Sequence, residues 1–162
     1  MNKFEAAVDS ITRAILGVLP VRLSEEKIQA IVQFVKFGIV GASNTVISYA
    51  INVLVLLLLK PLNVPWDYIA GNTVAFILSV LWSFYWNNKY VFTVEDGKSR
   101  NIGRALLKTY ISYGFTGIIL NNILSYVWII LLGVSKYVAP IINLVISIPL
   151  NFIINKFWAF KS

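Results

Sequence analysis

Four long apolar segments occupy most of the chain, and each has the length of a membrane-crossing helix. They run over residues 33–59, 66–86, 105–132 and 137–154. The hydrocarbon core of a bilayer is about 30 Å thick, and about 20 helical residues cross it. This pattern predicts an all-α, polytopic membrane protein with four transmembrane helices.

The first 32 residues have a different pattern and predict a cytoplasmic arm that precedes a membrane domain of residues 33–162. Apolar side chains recur along the first half of this arm at helical spacing, at Phe4, Val8, Ile11, Ile15 and Val18. The spacing predicts an amphipathic helix that lies on the inner membrane surface and stops near Pro20; a partly disordered arm is the alternative. The arm lacks the continuous apolar run of a cleavable signal peptide.

A second helix start lies just before the first span. Ser24 has the chemistry of an N-cap residue, and Glu25 and Glu26 place negative charge in the first turn that would follow. We expect this helix to run on into the first span.

Composition supports the membrane class and disfavours several kinds of site. The 162 residues are 58% hydrophobic, with no Cys and no His, and the mean hydropathy is +0.75. A disulfide framework and a thiolate nucleophile are excluded, and the usual zinc ligands are missing. We expect neither a metal nor another cofactor, and no catalytic nucleophile–base pair is legible, so an enzyme is not expected. The net charge of +7 is not arranged with interleaved stacking aromatics, so we expect no nucleic-acid partner.

The basic residues predict the orientation of the chain in a cytoplasmic membrane. Twelve Lys and Arg residues lie before or at the start of the first span, between the second span and the start of the third, or after the fourth, whereas only Lys60 and Lys136 lie in the other two loops. Positive charge stays on the cytoplasmic side. Both termini and the loop around residues 95–98 are therefore predicted to be cytoplasmic, and Trp66 and Tyr68 to lie at the outer interface.

The two halves of the chain resemble each other, which predicts two parallel two-helix repeats. Residues 44–49 match residues 121–126, and Ser79, Phe84 and Asn87 match Ser147, Phe152 and Asn155. Residues 88–92 also match residues 155–160, with a one-residue slip. Repeats with two spans each enter the membrane in the same orientation. A binding site between the halves is expected.

Polar residues recur at helical spacing within each apolar segment. One face of each helix carries such a stripe: Lys36, Asn44, Ser48 and Asn52; Asn72, Ser79, Ser83 and Asn87; Gly117, Asn121, Asn122 and Ser125; Asn143, Ser147, Asn151 and Asn155. An amide facing lipid leaves its donors and acceptors without partners, so all four stripes are expected to face inward. They predict a hydrated lining for a polar head group. The alternative is that these residues only hold the helices together.

Cationic residues cluster near the predicted cytoplasmic ends of the spans. The candidates for meeting a phosphate are Lys36, Lys89, Arg104, Lys108 and Lys156, with Asn88 beside Lys89. The alternative is that they only set orientation. Apart from Asp67 at an outer end, the four segments contain no carboxylate, so proton-coupled transport is disfavoured.

Two small residues in the first span predict helix packing rather than function. Gly38 and Ala42 are four residues apart and therefore share one helix face. Small residues at this spacing let two membrane helices approach closely. We expect another helix to pack against this face.

Three short motifs resemble those of the GtrA-like family. They are residues 34–41 (FVKFGIVG) followed by Asn44, residues 88–92 (NKYVF), and residues 155–160 (NKFWAF). The resemblance covers roughly residues 33–161 and leaves out the N-terminal arm. It implies a small four-helix protein of bacterial surface-glycan synthesis.

The resemblance implies a function in which a lipid-linked sugar moves between leaflets. It implies translocation of a polyprenyl-phosphate-linked sugar, such as undecaprenyl-phosphate glucose, from the inner to the outer leaflet. The alternative is a non-transporting subunit that anchors or stabilises a polyprenyl-phosphate glycosyltransferase. A small multidrug exporter is disfavoured by the missing carboxylate, and a homo-oligomer is conceivable for so narrow a bundle.

Overall fold

The computed structural model of the chain describes residues 3–18, 23–63, 67–94, 99–135 and 138–161. The expected helix stop near Pro20, the interface position of Trp66 and the loop at residues 95–98 lie outside these residues. The chain divides into two compact units, Met1–Thr93 and Val94–Ser162. Each is described by itself.

The first unit consists of three helices and two short helical turns. Its elements, in chain order, are α1 (Lys3–Gly17), α2 (Glu25–Leu59), a 3₁₀ turn (Lys60–Leu62), α3 (Asp67–Trp86) and a π-helical turn (Asn87–Val91). Helices α2 and α3 pack along each other. After the 3₁₀ turn, Asn63 adopts a left-handed conformation with φ 48°, which Asn tolerates better than most residues.

The second unit contains one long, repeatedly widened helical segment and a shorter helix. Its elements are α4 (Ile102–Gly114), a π-helical turn (Phe115–Leu120), α5 (Asn121–Tyr126), a second π-helical turn (Val127–Leu131), α6 (Ala139–Ile154) and a third π-helical turn (Asn155–Ala159). Helix α4 contacts the turn that ends α6. As in the first unit, two antiparallel spans form the unit.

The structure confirms an all-α membrane protein. Among the described residues, three helical segments are long and apolar enough to cross a membrane: Glu25–Leu62, Ile102–Leu131 and Ile141–Ala159. Helix α3 has 20 residues, which make about 30 Å of helix. The four predicted spans agree with these helices to within a few residues, except that the first helix begins eight residues earlier.

The early start of α2 agrees with the helix start predicted at Ser24. The residue stands at the N-cap of α2 with extended backbone angles, φ −68° and ψ 153°, although its hydroxyl makes no capping hydrogen bond. Helix α2 then continues without a break to Leu59. The prediction that this helix runs on into the first span is confirmed.

The expected N-terminal helix is also present, and it packs on the protein through one side only. Val8 and Thr12 are buried, whereas Ile11 and Ile15 are more than 60% exposed. Arg13 donates to Asp9 over 2.8 Å and also pairs with Glu25 at the start of α2. Hydrogen bonds to Glu25 and then to Asp9 raise the pKa of the Arg13 guanidinium. The exposed apolar side is free to contact lipid, and its place on the inner leaflet stays a prediction.

The distribution of side chains is the reverse of that in a water-soluble protein. Large apolar side chains such as Leu58 and Ile118 are more than half exposed, whereas Ser83, Thr109 and Thr116 are fully buried. Lipid accommodates exposed apolar groups, but it cannot supply hydrogen bonds to polar ones. Buried polar residues therefore share the interior of each unit with apolar ones such as Phe37 and Phe152.

The tight contact between α2 and α3 is at Gly71, not at the predicted pair Gly38 and Ala42. A Cβ atom at Gly71 would lie 3.1 Å from Nδ2 of Asn52 and 3.5 Å from Cγ of Leu56. A Cβ atom at Gly38 would meet nothing within 4 Å, and both Gly38 and Ala42 are exposed. The expectation that a helix packs on this pair is wrong for the described residues of this chain.

We expect Gly71→Leu to destabilise the protein and Gly38→Leu to leave its stability unchanged. Extra side-chain volume in a packed interface costs about 1–3 kcal/mol, whereas leucine at the exposed position meets lipid or detergent. Thermal unfolding of the purified protein in detergent measures the difference. Gly71→Leu should melt several degrees lower than Gly38→Leu, and equal melting temperatures would contradict the packing described here.

Candidate functional site

The last helix of each unit, α3 or α6, ends in a π-helical turn that begins at a fully buried asparagine. In the first unit the Phe92 amide donates to the carbonyl of Asn87 over 2.8 Å, and in the second the Phe160 amide donates to that of Asn155 over 2.8 Å. Both asparagine side chains are 0% exposed. Isolated π-helical turns are uncommon and occur often at functional sites. The two units therefore share the same hydrogen bond and the same buried asparagine at this end.

The π-helical turns also fix the register of the repeat. Asn87 and Asn155 occupy the same position, so Lys156 corresponds to Asn88, and Lys89 corresponds to Phe157. The burial pattern over the six residues agrees with this register, with the first, fifth and sixth residues buried in both units. Lys89 and Lys156 therefore stand one position apart in this register, as the one-residue slip in the sequence match predicts.

In each unit a polar side chain from the preceding helix bonds a carbonyl of the π-helical turn. Gln33 Nε2 donates to the carbonyl of Val91 over 2.8 Å, and Lys108 Nζ donates to that of Trp158 over 2.9 Å. Carbonyls at a helix end otherwise lack partners. Lys108, a candidate for phosphate contact, therefore also holds the turn in place.

A hydrogen-bonded cluster fills the interior of the second unit. Asn151 accepts from Ser112 over 3.1 Å and from Thr116 over 2.9 Å through the same side-chain oxygen. Asn155 donates to the carbonyl of Asn151 over 2.8 Å and approaches the Ser112 hydroxyl at 3.4 Å. The two asparagines were predicted from the sequence, but Ser112 and Thr116 were missed, although their i, i+3, i+7 spacing with Thr109 was a legible signal.

A second contact in this unit lies between α5 and α6. Asn143 donates to the hydroxyl of Ser125 over 2.8 Å and to the carbonyl of Asn121 over 3.2 Å. Asn121 in turn donates to the carbonyl of Gly117 on its own helix. The structure thus joins candidate residues of the third and fourth predicted spans.

Candidate polar residues of the first unit also contact each other. Asn52 on α2 donates to Asn72 on α3 over 2.8 Å. Asn87 donates to Ser83, one turn earlier on α3, over 3.1 Å. Ser79 is also buried, and Asn44 and Ser48 are half-buried. The first unit therefore has polar contacts both between α2 and α3 and within α3.

Not every predicted polar residue faces inward. Asn72 and Asn122 are exposed, and Asn122 donates to the carbonyl of Ile118, one turn earlier, over 2.7 Å. This local bond satisfies the amide donor without a neighbouring helix, which is the physical reason why the prediction is wrong for this residue. The prediction holds for Ser79, Ser83, Asn87, Asn143, Ser147 and Asn155, all of which are buried.

Four candidate asparagines share one unusual feature. Within the described part of the chain, a buried side-chain oxygen without a hydrogen-bond partner occurs in Asn44, Asn121, Asn143 and Asn155. A buried acceptor left unsatisfied costs about 1–3 kcal/mol, so native proteins rarely retain several of them without a use. These oxygens can accept hydrogen bonds from hydroxyl groups.

The candidate cations have different surroundings. Lys89 is exposed at 5.1–5.5 Å from the ring centres of Tyr85, Trp86 and Tyr90, and Lys156 lies over Phe152 and Phe157. Such cation–aromatic contacts orient an ammonium group while leaving its charge available.

Lys36 differs from these two because it faces a carboxylate. Its Nζ lies 3.9 Å from Oε1 of Glu5 on α1, and both side chains are largely buried. The N-terminal helix thus reaches a candidate site residue, which its amphipathic pattern alone did not reveal.

The remaining two candidate cations, Arg104 and Lys108, line one cavity in the second unit. The cavity has a volume of about 190 Å³ and is lined by Ser99, Arg100, Asn101, Arg104, Ala105, Lys108, Ala159 and Lys161. The sequence analysis did not select Arg100 or Lys161. Arg100 begins an i, i+4, i+8 series with Arg104 and Lys108 that was legible, whereas Lys161 is brought there by the fold. Burial lowers the pKa of the Arg100 guanidinium, because desolvation disfavours its charged form.

Comparison with known proteins identifies the family to which the chain belongs. The model of the GtrA/DPMS transmembrane domain matches residues 36–160. The chain belongs to the GtrA/DPMS transmembrane-domain family. This confirms the GtrA-like resemblance, and with it the membrane character of the chain. No solved structure matches the chain.

Relatives of this GtrA/DPMS domain include two kinds of named protein. The chain is 30% identical over 96 residues to the cell wall teichoic acid glycosylation protein GtcA of Listeria innocua. It is 28% identical over 96 residues to the GtcA protein of Listeria monocytogenes serovar 1/2a. Each of these two matches covers 59% of this chain and 66% of the relative. It is 31% identical over 125 residues to a dolichol-phosphate mannosyltransferase of Pyrococcus furiosus, covering 76% of this chain and 32% of the relative. The matched stretch is thus slightly under two thirds of each Listeria protein.

Proposed function

We propose that this protein translocates a polyprenyl-phosphate-linked sugar across the cytoplasmic membrane for glycosylation of a cell-surface polysaccharide. Undecaprenyl-phosphate glucose is a representative substrate. The names of the GtcA relatives support a role in cell wall glycosylation, and that of the mannosyltransferase supports a polyprenyl-phosphate carrier. Both termini are proposed to be cytoplasmic, as the basic residues predict.

The observation that carries the proposal is the set of buried, unsatisfied amide oxygens in Asn44, Asn121, Asn143 and Asn155. A sugar head group carries many O–H donors, and each donor that meets such an oxygen removes the cost of its burial. Structural clasps between helices would use both the donor and the acceptor of each amide. Here the Nδ2 groups of Asn121, Asn143 and Asn155 are bonded, while their buried oxygens have no hydrogen-bond partner among the described residues.

The proposed movement follows the concentration gradient of the substrate. Asp67 is the one carboxylate in the four apolar segments, and it stands at the end of one of them. Proton-driven transport commonly uses a carboxylate or histidine inside the membrane. Consumption of the sugar on the outer side would maintain the gradient, and the protein itself is proposed to catalyse no chemical step.

A second candidate function is that of a membrane subunit that stabilises a polyprenyl-phosphate glycosyltransferase. The Pyrococcus furiosus relative favours it, because the matched stretch is 32% of a protein named as a transferase. The predicted cytoplasmic arm and basic middle loop would then be surfaces for that partner.

Deletion of the gene separates the two functions. If the protein translocates, the deletion strain should still synthesise the polyprenyl-phosphate sugar and accumulate it, while glycosylation of the surface polymer is lost. If it only stabilises a transferase, the sugar-lipid itself should decline. Mass spectrometry of extracted lipids, with the complemented strain as the control, distinguishes the outcomes, and a decline in the sugar-lipid would contradict translocation as the primary role.

A further inference from the structure

The cavity at the start of α4 is strongly and unusually basic. Four of its eight lining residues are cationic: Arg100, Arg104, Lys108 and Lys161. Like charges that line one small space repel each other unless an anion lies between them. The arrangement therefore favours an anionic ligand.

Among the described residues, no carboxylate lines this cavity. After residue 98 the sequence contains six Lys and Arg residues and no Asp or Glu. The four cationic side chains therefore give the described lining a net positive charge.

The backbone adds to the positive potential on one side of the cavity. Asn101 is the N-cap of α4, and its side chain accepts from the Arg104 amide over 2.9 Å. The start of a helix carries a partial positive charge because the peptide dipoles align. Arginine suits the planar, two-point contacts that phosphate oxygens make.

The π-helical turn that ends α6 also lines the cavity, through Ala159. Lys108 is held there by its hydrogen bond to the carbonyl of Trp158, and Arg100 lies 5.2 Å from the ring centre of Phe160. These contacts reduce the freedom of two of the four cationic side chains before any ligand arrives, so less conformational entropy is lost on binding. The volume of about 190 Å³ accommodates a tetrahedral anion.

We infer that this basic cavity binds a phosphate group. The phosphate is either part of a lipid head group or free inorganic phosphate. The lipid source rests on the proposed function, because a polyprenyl-phosphate sugar presents its phosphate at the membrane surface. The affinity of the basic cavity for phosphate does not depend on translocation. The sequence candidates Arg104 and Lys108 thus form one site with Arg100 and Lys161.

Titration of the purified full-length protein in lipid nanodiscs tests this inference. The probes are a short-chain polyprenyl monophosphate, inorganic phosphate, and the corresponding unphosphorylated polyprenol. Arg104→Gln and Lys161→Gln are expected to weaken binding of the lipid phosphate about tenfold each, because each removes a charge-assisted contact. Arg104→Lys should retain part of the affinity. Lys60→Gln, at an exposed cation of the first unit, is the matched control and should bind normally.

The outcomes separate the two phosphate sources and the two proposals. Weaker binding of lipid phosphate with unchanged polyprenol binding supports the basic cavity as a head-group site, and competition by inorganic phosphate alone supports a free-phosphate site. Normal binding of both phosphate probes by folded Arg104→Gln and Lys161→Gln variants overturns the inference. Translocation that proceeds normally in those variants would leave the proposed function standing, whereas phosphate binding without translocation would leave only the basic cavity standing.

Discussion

Replacing Asn155 by leucine is expected to lower the rate of sugar-lipid translocation about tenfold or more while leaving most of the protein folded. The substitution removes a fully buried amide whose oxygen has no hydrogen-bond partner among the described residues, and the loss of one hydrogen bond to a substrate is worth about a factor of ten. Ser112 and Asn151 still bond each other in its absence, so the helix contact persists. Asn87→Leu, at the equivalent position of the first unit, should act in the same direction.

Asn122→Leu is the matched control for this experiment. It makes the same chemical change at an exposed position, where the amide bonds only its own helix. The two variants should be compared for translocation in liposomes and for the yield of monodisperse protein in detergent. If Asn155→Leu lowered yield and translocation in equal proportion, the buried asparagine would be a structural residue, and the account of the site would be wrong there.

Replacing both Lys89 and Lys156 by alanine is expected to reduce handling of the anionic lipid about tenfold or more. Each ammonium group lies at the end of its unit's last helix and against aromatic rings. An ammonium–phosphate contact is charge-assisted and contributes about 1.5–3 kcal/mol where it is shielded from water. Translocation rates in liposomes, measured over a range of lipid concentrations, report this change.

Conservative variants separate charge from packing at the two lysines. Arginine at both positions keeps the cation and should retain most of the activity, whereas methionine keeps an apolar stem without the charge and should behave as alanine does. Lys60→Ala, on the exposed 3₁₀ turn, is the control for a general loss of charge. Full activity in the double alanine variant would remove both lysines from the site.

The spans could be predicted from the sequence because length and hydropathy alone determine what a bilayer accepts. The end of α2 at Leu59 and that of α3 at Trp86 coincide with the predicted ends. The local hydropathy pattern was sufficient to predict these two helix ends, because a lipid-facing apolar segment ends where polar residues begin.

The π-helical turns could not be predicted in this way. A single widened turn leaves no period in the sequence. Matching residue types paired Asn87 with Asn155, but it gave no sign that both asparagines begin a π-helical turn.

The site was partly predictable for a related reason. Spacing along one helix identifies residues that share a face, and it therefore selected Asn143, Asn151 and Asn155. It does not show which face meets which helix, so Ser112 and Thr116 were missed. Lys161 joins the basic cavity only because the end of the chain returns to the start of α4, and no local pattern contains that information.

The measurement that tests the central claim most directly uses the purified protein in sealed liposomes with a short-chain polyprenyl-phosphate glucose. The fraction of head groups accessible to an impermeant reagent outside is followed over time, against protein-free vesicles and vesicles containing Asn155→Leu. The account predicts rapid exposure with the wild-type protein and slow exposure in both controls. Exposure at the protein-free rate, with folded protein and tight vesicles verified, would contradict translocation.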